Sequence, residues 1–411
     1  MSERTNPTSP TNAPRTHVVV VGGGYAGTMA ANRVRLRADV DITLINPRPQ
    51  FVERIRLHQL AAGTGAATVD YGTLLGEGIR LAVDNADRID AAARRVELAS
   101  GAALDYDYLI YAVGSTGATP AAVPGAVEYA YVLAELEGAQ KLRYALADLQ
   151  PGAPITVVGG GLTGIEVAGE LGEQGRSVTL VCGGTLGPSL SARGRRSVAK
   201  QLRKLGVTVL ETARIAEVRW DSVVLGDGAD DGRVLPSAVT IWTAGFDVPD
   251  LAARSGLRTD SMGRLLTDET LTSISDGRIV AAGDAAAPSD HPLRMSCQAA
   301  IPLAAQAANT VLSRIAGETP VSLDQAFTGQ CISVGRTYAT VQLAHKDDTP
   351  MDLYIGGRTA SSIKELVCKG TVWGLRKEAA KPGWYFWLKG GNRDEQLQAD
   401  ERPAALKVSR G

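Results

Sequence analysis

The fold is decided by residues 17–46, which read HVVVVGGGYAGTMAANRVRLRADVDITLIN. A β-branched apolar run at His17–Val21 leads directly into a glycine-rich turn. An Ala-rich stretch with helical spacing follows at Thr28–Arg37, and a second apolar run follows at Asp41–Ile45. A strand, a glycine-rich turn, a helix and a returning strand within about 30 residues are typical of a βαβ unit in a parallel sheet.

The spacing Gly22-x-Gly24-x-x-Gly27 matches the turn that binds a dinucleotide. Gly22 allows a tight turn, Gly24 lets the backbone approach a pyrophosphate, and Gly27 lets the helix pack closely on the strand. The helix N-terminus then offers free N–H groups to the phosphates. We therefore assign these glycines, with Tyr25 and Ala26 between them, to a cofactor site.

The residue expected to bind the ribose comes about 20 positions after the turn and is usually acidic. Here the strand ends at Asn46, whose amide can donate and accept hydrogen bonds but carries no charge. Arg48 follows closely. It is predicted either to cover an adenine ring or pair with a phosphate, or to be a solvated loop residue, and the sequence favours neither.

The same order of elements returns after Pro151, with a strand at Ile155–Val158, a second glycine turn and a returning strand at Ser177–Val181. The turn predicts a second dinucleotide site. Its assigned residues are Gly159, Gly161, Leu162, Thr163 and Gly164.

The second unit leaves the nicotinamide coenzyme open. Its returning strand ends at residues 182–184 (CGG) without a carboxylate, and Arg193, Arg195 and Arg196 follow. A missing acid with nearby arginines permits the 2′-phosphate of NADPH. The arginines are equally well explained as a solvated helix face, so both NADH and NADPH remain candidates.

Three further apolar runs end in glycine, at Gly114, Gly245 and Gly283. Carboxyl ends of parallel strands form the ligand edge of such a sheet, so these glycines are assigned to the cofactor sites. Asp284 follows Gly283 and is expected to bind a ribityl hydroxyl of FAD, or to cap the next helix. Both roles are compatible.

The chain has 411 residues and a formal net charge of −1. This length predicts two or three domains, and the near-neutral charge provides no general attraction for nucleic acid. The four cysteines are scattered, so neither a metal site nor a closely spaced redox pair is predicted. Scattered thiols fit a reducing cytosol.

Residues 1–16 are rich in Ser, Thr, Asn and Pro, and we interpret them as a disordered tail rather than a signal peptide. No apolar run reaches the roughly 18 residues of a membrane-spanning helix. Both features indicate a cytoplasmic protein.

Taken together, four motifs resemble the pyridine nucleotide–disulfide oxidoreductase superfamily: GGGYAG at Gly22, YDYLIYAVGS at Tyr106, VVGGGLTGIEVAGEL at Val157 and RIVAAGDAA at Arg278. The resemblance covers roughly residues 16–315. It implies an α/β fold with two Rossmann-like domains, one for FAD and one for NAD(P)H, and a small α+β C-terminal domain. The expected division is a tail at 1–16, an FAD domain at 17–116 and 246–320, an NAD(P)H domain at 117–245 and a C-terminal domain at 321–411.

Within the superfamily, the chain looks most like the type II NADH dehydrogenases, because paired cysteines are absent near the first unit and Phe51–Gly63 lacks cysteine. The resemblance implies that Glu166 lies near the nicotinamide–flavin junction and that Gln298 belongs to a helix approaching the flavin. The subgroup's quinone-site pattern, A-Q-x-A-x-Q, has Pro302 in place of its second Gln. His58 and Arg54 are weaker candidates, as a proton donor and a cofactor contact.

The resemblance therefore predicts an NAD(P)H:acceptor oxidoreductase that passes hydride to flavin N5 and two electrons onward, with a quinone as the favoured small-molecule acceptor. The substitution at Pro302 keeps open a reductase for a ferredoxin-like protein or a small biosynthetic substrate. A flavin- or nucleotide-binding sensor without turnover is a third interpretation, although two complete glycine motifs argue against it.

Aromatic and basic residues cluster near the C-terminus. Trp373 and residues 384–387 (WYFW) stand among Lys369, Arg376, Lys377, Lys381 and Lys389. Such a cluster is typical of a peripheral membrane contact. Packing against the FAD domain, or an interface in a homodimer, is the interpretation that the sequence favours, because no long amphipathic helix is evident there.

Overall fold

The computed structural model describes residues 15–118, 120–226 and 231–398. The tail predicted at 1–16 falls outside this part of the chain except for its last two residues. Those two are ordered, which corrects the prediction: Thr16 opens the first strand, and Arg15 Nε lies 2.7 Å from Asp41 Oδ1. The polar C-terminal end from residue 399 also lies outside the described residues.

The α-helices of the described residues are numbered along the chain. They are α1 (Tyr25–Val34), α2 (Leu57–Ala62), α3 (Ala126–Tyr129), α4 (Leu136–Ala147), α5 (Leu162–Glu173), α6 (Ala192–Lys204), α7 (Leu251–Arg254), α8 (Cys297–Ala316) and α9 (Arg358–Ala380). Short 3-10 helices occupy Arg54–Arg56, Tyr71–Thr73 and Gly283–Ala285.

The first sheet is parallel and five-stranded. Its strands, in spatial order, are Ile279–Ala281, Tyr108–Tyr111, Thr16–Val21, Val40–Asn46 and Ile79–Val83. Val18, Val19 and Val20 are completely buried because helices or connecting segments cover both faces of the central strand, as a parallel sheet requires. The strand that ends at Ala281 comes from far along the chain, so this unit is discontinuous.

Helix α1 begins at Tyr25, three residues before the predicted start at Thr28. Gly24 is its N-cap with an extended backbone, so the last glycine of the turn already lies in the helix. The apolar face of α1 packs against α8 and the first sheet in one buried core.

The second sheet is also parallel. Its strands, in spatial order, are Ala130–Val132, Val239–Trp242, Pro154–Val158, Ser177–Val181 and Thr208–Leu210. The pair Thr116–Gly117 and Phe246–Asp247 forms a two-stranded antiparallel ribbon where the chain enters and leaves this unit. The predicted domain boundaries lie on this ribbon and stay a prediction.

Smaller sheets complete the two units. The three-stranded ones comprise Ala86–Asp90, Arg95–Leu98 and Ala103–Asp105, and Arg214–Val218, Ser222–Gly226 and Val234–Pro236. The two-stranded ones pair Gln50–Val52 with Thr68–Asp70 and Leu265–Thr267 with Ala286–Pro288.

The C-terminal part contains an antiparallel sheet of Gly329–Ser333, Ala339–Ala344 and Pro350–Gly357, followed by α9. At 23 residues α9 is the longest of the described helices. The sequence did not predict this helix. The sequence favoured internal packing or a dimer interface over a membrane contact because no long helix was evident there, and α9 weakens that reason. Among the described residues, no helix combines the length and apolar character needed to cross a membrane.

Pro302 lies inside α8, beyond its first turn, and the helix continues past it. Pro302 has no N–H, so it cannot bond to the carbonyl oxygen of Gln298 one turn earlier. Gln325 Nε2 donates to that carbonyl instead, at 3.1 Å. The segment before the C-terminal sheet thus compensates for the proline and is held against the start of α8.

Candidate functional site

A cavity of about 1440 Å³ runs between the two parallel-sheet units and the C-terminal part. Both glycine-rich turns line it, as do the start of α8 and the inner face of α9. A pocket for one drug-sized ligand typically measures about 300–1,000 Å³. This cavity is therefore large enough for more than one ligand.

The first glycine turn has the geometry that its spacing predicted. Gly22 has φ +101°, and a Cβ added there would collide with the Ala112 carbonyl. A Cβ on Gly27 would collide with the carbonyl oxygen of Gly22, so both positions exclude side chains for internal reasons. A Cβ on Gly24 would meet nothing within 4 Å. Gly24 lines the cavity, which leaves the N-terminus of α1 open to a ligand.

The second turn repeats this geometry. Gly159 has φ +119°, and a Cβ on Gly164 would collide with the carbonyl oxygen of Gly159. Gly161, the counterpart of Gly24, is open on its cavity side, with nothing within 4 Å of an added Cβ. The cavity therefore meets two exposed helix N-termini, which are favourable places for phosphates.

Asp284 belongs to a small polar cluster at the carboxyl edge of the first sheet. Ser115 Oγ donates to Asp284 Oδ2 at 2.6 Å, and Arg54 Nη1 donates to Ser115 Oγ at 2.9 Å. Arg54 Nη1 lies 4.0 Å from Asp284 Oδ2. Asp284 thus lines the cavity with its carboxyl group fixed by Ser115, and Arg54 in turn fixes Ser115. The sequence predicted Arg54 as a cofactor contact and did not predict this positioning role.

The side chains of Asn46 and Arg48 already form hydrogen bonds and ion pairs with other residues of the protein. Asn46 Oδ1 accepts from the Gly23 N–H at 3.0 Å, and its Nδ2 donates to the Arg48 carbonyl at 2.7 Å. The Arg48 guanidinium contacts Glu137 at 2.6 Å and Glu135 at 2.9 Å. Hydrogen bonding to Glu137 raises the pKa of Arg48 despite partial burial. Both residues line the cavity, but Asn46 mainly fixes the turn, and the positive charge of Arg48 is compensated.

Glu166 is buried on α5 and meets a lysine from the C-terminal helix. Lys364 Nζ lies 2.9 Å from Glu166 Oε1, and the N–H and Oγ of Ser333 both donate to the same oxygen at 3.2 Å. Burial alone would raise the pKa of Glu166, but Lys364, together with His58 and the hydrogen bond from Ser333, outweighs burial and holds the pKa below its usual value. Although burial opposes it, Glu166 also raises the pKa of Lys364. An ionised pair therefore lines the cavity.

His58 Nδ1 lies 3.6 Å from Glu166 Oε2. Burial lowers the pKa of His58 to about 4 despite the attraction of that carboxylate. The imidazole is therefore neutral near pH 7 and supplies no readily titrating proton there. This weakens the predicted role of His58 as a proton donor.

The predicted start of α8 is confirmed at Cys297, with Ser296 as the N-cap accepting from the Ala299 N–H at 3.2 Å. In the amide orientation that satisfies all its partners, Gln298 accepts from the Thr328 hydroxyl at 2.6 Å and donates to the Gly329 carbonyl at 2.9 Å. Gln298 lines the cavity and couples α8 to the C-terminal sheet.

Three cysteines that are distant in sequence, Cys297, Cys331 and Cys368, line the same cavity, and all are free thiols. Burial raises the pKa of each thiol. Since the thiolate is the reactive form, these residues are poor nucleophiles as placed.

The C-terminal aromatic segment, residues 384–387, has both inward-packed and exposed side chains. Tyr385 and Trp387 pack inward against the core of the first unit, and Arg33 lies over the Trp387 ring at 5.8 Å. The buried Glu378 carboxylate accepts from the Gly383 N–H at 2.8 Å and the Tyr385 N–H at 2.7 Å. Phe386, between them, is 81% exposed.

Most predicted site residues are brought together by the cavity. Those lining it are Gly22, Gly24, Tyr25, Ala26, Asn46, Arg48, Arg54, His58, Gly114, Gly161, Leu162, Thr163, Glu166, Gly283, Asp284 and Gln298. Gly27, Gly159, Gly164 and Gly245 do not line it; the first three shape the turns, and Gly245 forms a left-handed bend beside the wall. Lys364 and Ser115 were missed: no motif marks Lys364, and Ser115 ends the motif YDYLIYAVGS but was not assigned a role.

The fold and the cavity define an oxidoreductase built around two nucleotide sites. The profile of the pyridine nucleotide-disulphide oxidoreductase family matches residues 16–310. The chain belongs to this family, and it is an NAD(P)H-dependent flavoprotein oxidoreductase of the type II NADH dehydrogenase-like kind. Members of the family use FAD and a nicotinamide dinucleotide, so the expected pair of cofactors is confirmed.

The relatives differ in the acceptors that their names give. An NADH dehydrogenase-like protein of Mycobacterium tuberculosis is 31% identical over 328 residues, 72% of this chain and 80% of the relative. A type II NADH:quinone oxidoreductase of the same organism is 28% identical, with 78% and 77% covered. A ferredoxin–NAD(+) reductase component of the biphenyl dioxygenase system of Paraburkholderia xenovorans is 33% identical, with 68% and 69% covered.

Among solved structures, the sulfide:quinone oxidoreductase of Aquifex aeolicus superposes with a TM-score of 0.77 at 21% identity, covering 90% of this chain and 93% of that one. At this identity the likeness concerns the fold, including the C-terminal part beyond residue 310.

The low pKa of His58 predicts a specific acid sensitivity. The folded-state pKa, about 4, lies below the ordinary value of 6.5, so between these values the unfolded chain binds more protons. Stability should therefore fall as the pH drops through this window, by up to about 3 kcal/mol from His58 alone. The free energy of unfolding, measured with urea at several pH values, should fall less with decreasing pH in His58→Gln than in the unchanged protein. Parallel curves for the two proteins would contradict the assignment.

Proposed function

We propose that the protein is an NADH:quinone oxidoreductase that binds FAD on the first glycine turn and NADH on the second. The observation that carries the proposal is the single cavity into which both turns open, with the buried Glu166–Lys364 pair in its wall. When bound, FAD accepts hydride from the nicotinamide and passes the electron pair to the acceptor. The proposed division into two cofactor domains and a C-terminal domain follows the same assignment.

The residues around the first turn fit FAD. The open backbone at Gly24 and the N-terminus of α1 suit a pyrophosphate, and Asp284, oriented by Ser115 and Arg54, suits a ribityl hydroxyl. Gly114 and Gly283, at the same sheet edge, line the cavity. The cap of α8 uses only one of its free N–H groups, so its positive end is available to stabilise charge on a bound ring.

The second turn fits a nicotinamide dinucleotide in the same way, through Gly161, Leu162 and Thr163. The arginines considered for a 2′-phosphate, on α6, do not line the cavity, and Arg193 instead lies 3.1 Å from Asp352. This arrangement supports NADH over NADPH.

The Glu166–Lys364 pair suits the acceptor step. The Lys364 ammonium, with its raised pKa, stays charged and can donate a hydrogen bond to an acceptor oxygen that gains negative charge. Glu166 holds Lys364 in place, and the second quinone-pattern Gln is not needed for this contact. A quinone carbonyl matches this donor, which supports a quinone over a protein acceptor.

We also propose that the C-terminal aromatic segment contacts a membrane surface, where a lipid-soluble quinone would enter. Exposed apolar side chains on α9 and the segment after it, Leu366, Trp373, Phe386 and Leu388, are 71%, 51%, 81% and 58% exposed. Phe386 and Leu388 also line the cavity. Lys369 and Lys377 lie on the same side of α9, a combination typical of an interfacial contact. The predicted homodimer stays a prediction.

Changing the two open glycines should separate the two cofactors. Alanine at Gly24 or Gly161 meets no protein atom within 4 Å, so both variants should fold while the methyl group obstructs a phosphate. We expect Gly24→Ala to reduce FAD content, measured by flavin absorbance after denaturation. Gly161→Ala should keep FAD but raise the KM for NADH about tenfold, equivalent to about 1.4 kcal/mol.

Gly184→Ala is the matched control, because its added Cβ is equally free and the residue does not line the cavity. If Gly161→Ala lost FAD and Gly24→Ala kept it, the assignment of the two turns would be reversed.

The acceptor is tested with the purified flavoprotein under nitrogen. We expect NADH to bleach the flavin, and a soluble short-chain quinone to restore its colour faster than oxygen or oxidised ferredoxin does, as followed by stopped-flow absorbance. Faster reoxidation by ferredoxin would favour the alternative acceptor suggested by the ferredoxin reductase relative. If neither NADH nor NADPH bleached the flavin, only the interpretation as a flavin- or nucleotide-binding sensor without turnover would remain.

The membrane contact predicts binding to anionic vesicles that weakens with salt, since the basic residues contribute electrostatically. In co-sedimentation with phosphatidylglycerol vesicles, Phe386→Ser should reduce the bound fraction severalfold. Tyr144→Ser, at a 73% exposed aromatic on α4, should bind like the unchanged protein. Equal binding of all three proteins, or no binding at low salt, would exclude this surface.

A further inference from the structure

Helix α5 carries a row of carboxylates from the cavity to the outside. Glu166, Glu170 and Glu173 are spaced so that they share one face of the helix. Glu166 lines the cavity. Glu173, at the other end, is only partly buried and accepts from the Arg336 N–H at 2.5 Å and the Thr337 hydroxyl at 2.8 Å.

Glu170, in the middle, is 1% exposed. Its Oε1 accepts a short hydrogen bond from the hydroxyl of Thr64, a residue exposed at the surface after α2. Its Oε2 is buried, and no hydrogen-bond partner for it exists among the described residues. An ionised carboxylate with an unsatisfied buried oxygen is unfavourable, and protonation removes the buried charge.

The groups facing Glu170 are Thr64 from the loop after α2, Arg336 from the loop between two strands of the C-terminal sheet, and Glu166 and Glu173 from α5 itself. Arg336 Nε lies 3.9 Å from Glu170 Oε1. Burial, reinforced by the two neighbouring carboxylates, raises the pKa of Glu170 despite Thr64 and Arg336. Glu170 can therefore hold a proton closer to neutral pH than an ordinary glutamate.

The proposed reaction requires such a proton. Reduction of a quinone to a hydroquinone adds two electrons and two hydrogens. The hydride from NADH supplies both electrons and one hydrogen nucleus, so one proton per turnover comes from the solvent. A quinone that enters beside Phe386 and Leu388, which line the cavity, displaces water from that side, so the proton must arrive through the protein.

We propose that Glu170 is the proton-relay residue of this enzyme, taking a proton from solvent at Thr64 and passing it to Glu166 beside Lys364. The O–H bond at Glu170 breaks as one forms at Glu166, and the proton then moves to the acceptor oxygen near Lys364. Solvent at Thr64 restores the proton on Glu170. This inference rests on the proposed quinone reduction, and Glu170 acts through Glu166 without touching the acceptor.

The test compares two acceptors in the full-length flavoprotein. Ferricyanide takes electrons without protons, whereas a short-chain quinone takes both. We expect Glu170→Gln to lower quinone turnover about tenfold to hundredfold and to leave ferricyanide turnover at the unchanged protein's level. The solvent deuterium isotope effect on quinone turnover should rise. Thr64→Val, which removes the hydroxyl that bonds to Glu170, should lower quinone turnover in the same direction.

Two further measurements separate proton relay from a structural effect. Formate, a small acid, should restore quinone turnover in Glu170→Ala but not alter ferricyanide turnover. Quinone turnover of the unchanged protein should fall as the pH rises through the titration of Glu170, and Glu170→Gln should lose this dependence.

Glu53→Gln is the matched control, because burial also raises the pKa of Glu53 while its carboxylate pairs with Arg56 at 3.2 Å, outside the row on α5. It should keep the quinone-to-ferricyanide ratio of the unchanged protein. An unchanged ratio in Glu170→Gln would overturn the relay, and so would an equal loss with both acceptors without rescue by formate. If the unchanged protein reduced ferricyanide but no quinone, the proposed function itself would fail.

Discussion

The structure depends on a steric constraint that occurs twice: a helix that begins against the carbonyl oxygen of the first glycine of the turn before it. At Gly27 and Gly164 any Cβ would collide with that oxygen, so only glycine permits each helix to begin there. Gly24 and Gly161, the middle glycines of the two motifs, face outward without such a collision. The same geometry therefore locks the helix onto the sheet and leaves its N-terminus uncovered towards the cavity, where anions are stabilised.

The C-terminal part forms the remaining wall of the cavity between the two parallel-sheet units. Lys364 on α9 meets Glu166 on α5, and Ser333 bonds to the same carboxylate, so two distant parts of the chain share one buried ion pair. Removing one partner of such a pair leaves a buried charge without compensation, which typically costs about 3–5 kcal/mol. This pair and the Gln325 bond that compensates for Pro302 join the cavity wall to the rest of the protein.

The cysteines show why the chemistry of this cavity differs from thiol exchange. Cys297, Cys331 and Cys368 come together in the wall, but their raised pKa values keep them as thiols. The proposed function therefore rests on the charged groups nearby and not on the sulfur atoms. Family membership supports the reductive half of the reaction, and the proposed acceptor step depends on these particular residues.

The sequence alone determined the two βαβ units, because valine runs and glycine spacing act over a few residues and impose local geometry. It also determined Gly24, Gly161, Glu166 and Asp284, which lie within or beside those motifs. Only the tertiary structure decided that Lys364 and Ser115 contact the predicted site residues, and that Arg54 acts on Asp284 through Ser115. It also decided that His58 has a lowered pKa, and that one oxygen of Glu170 has no hydrogen-bond partner among the described residues. Burial and long-range pairing set these properties, and they depend on which segments pack together, for which no short sequence pattern exists.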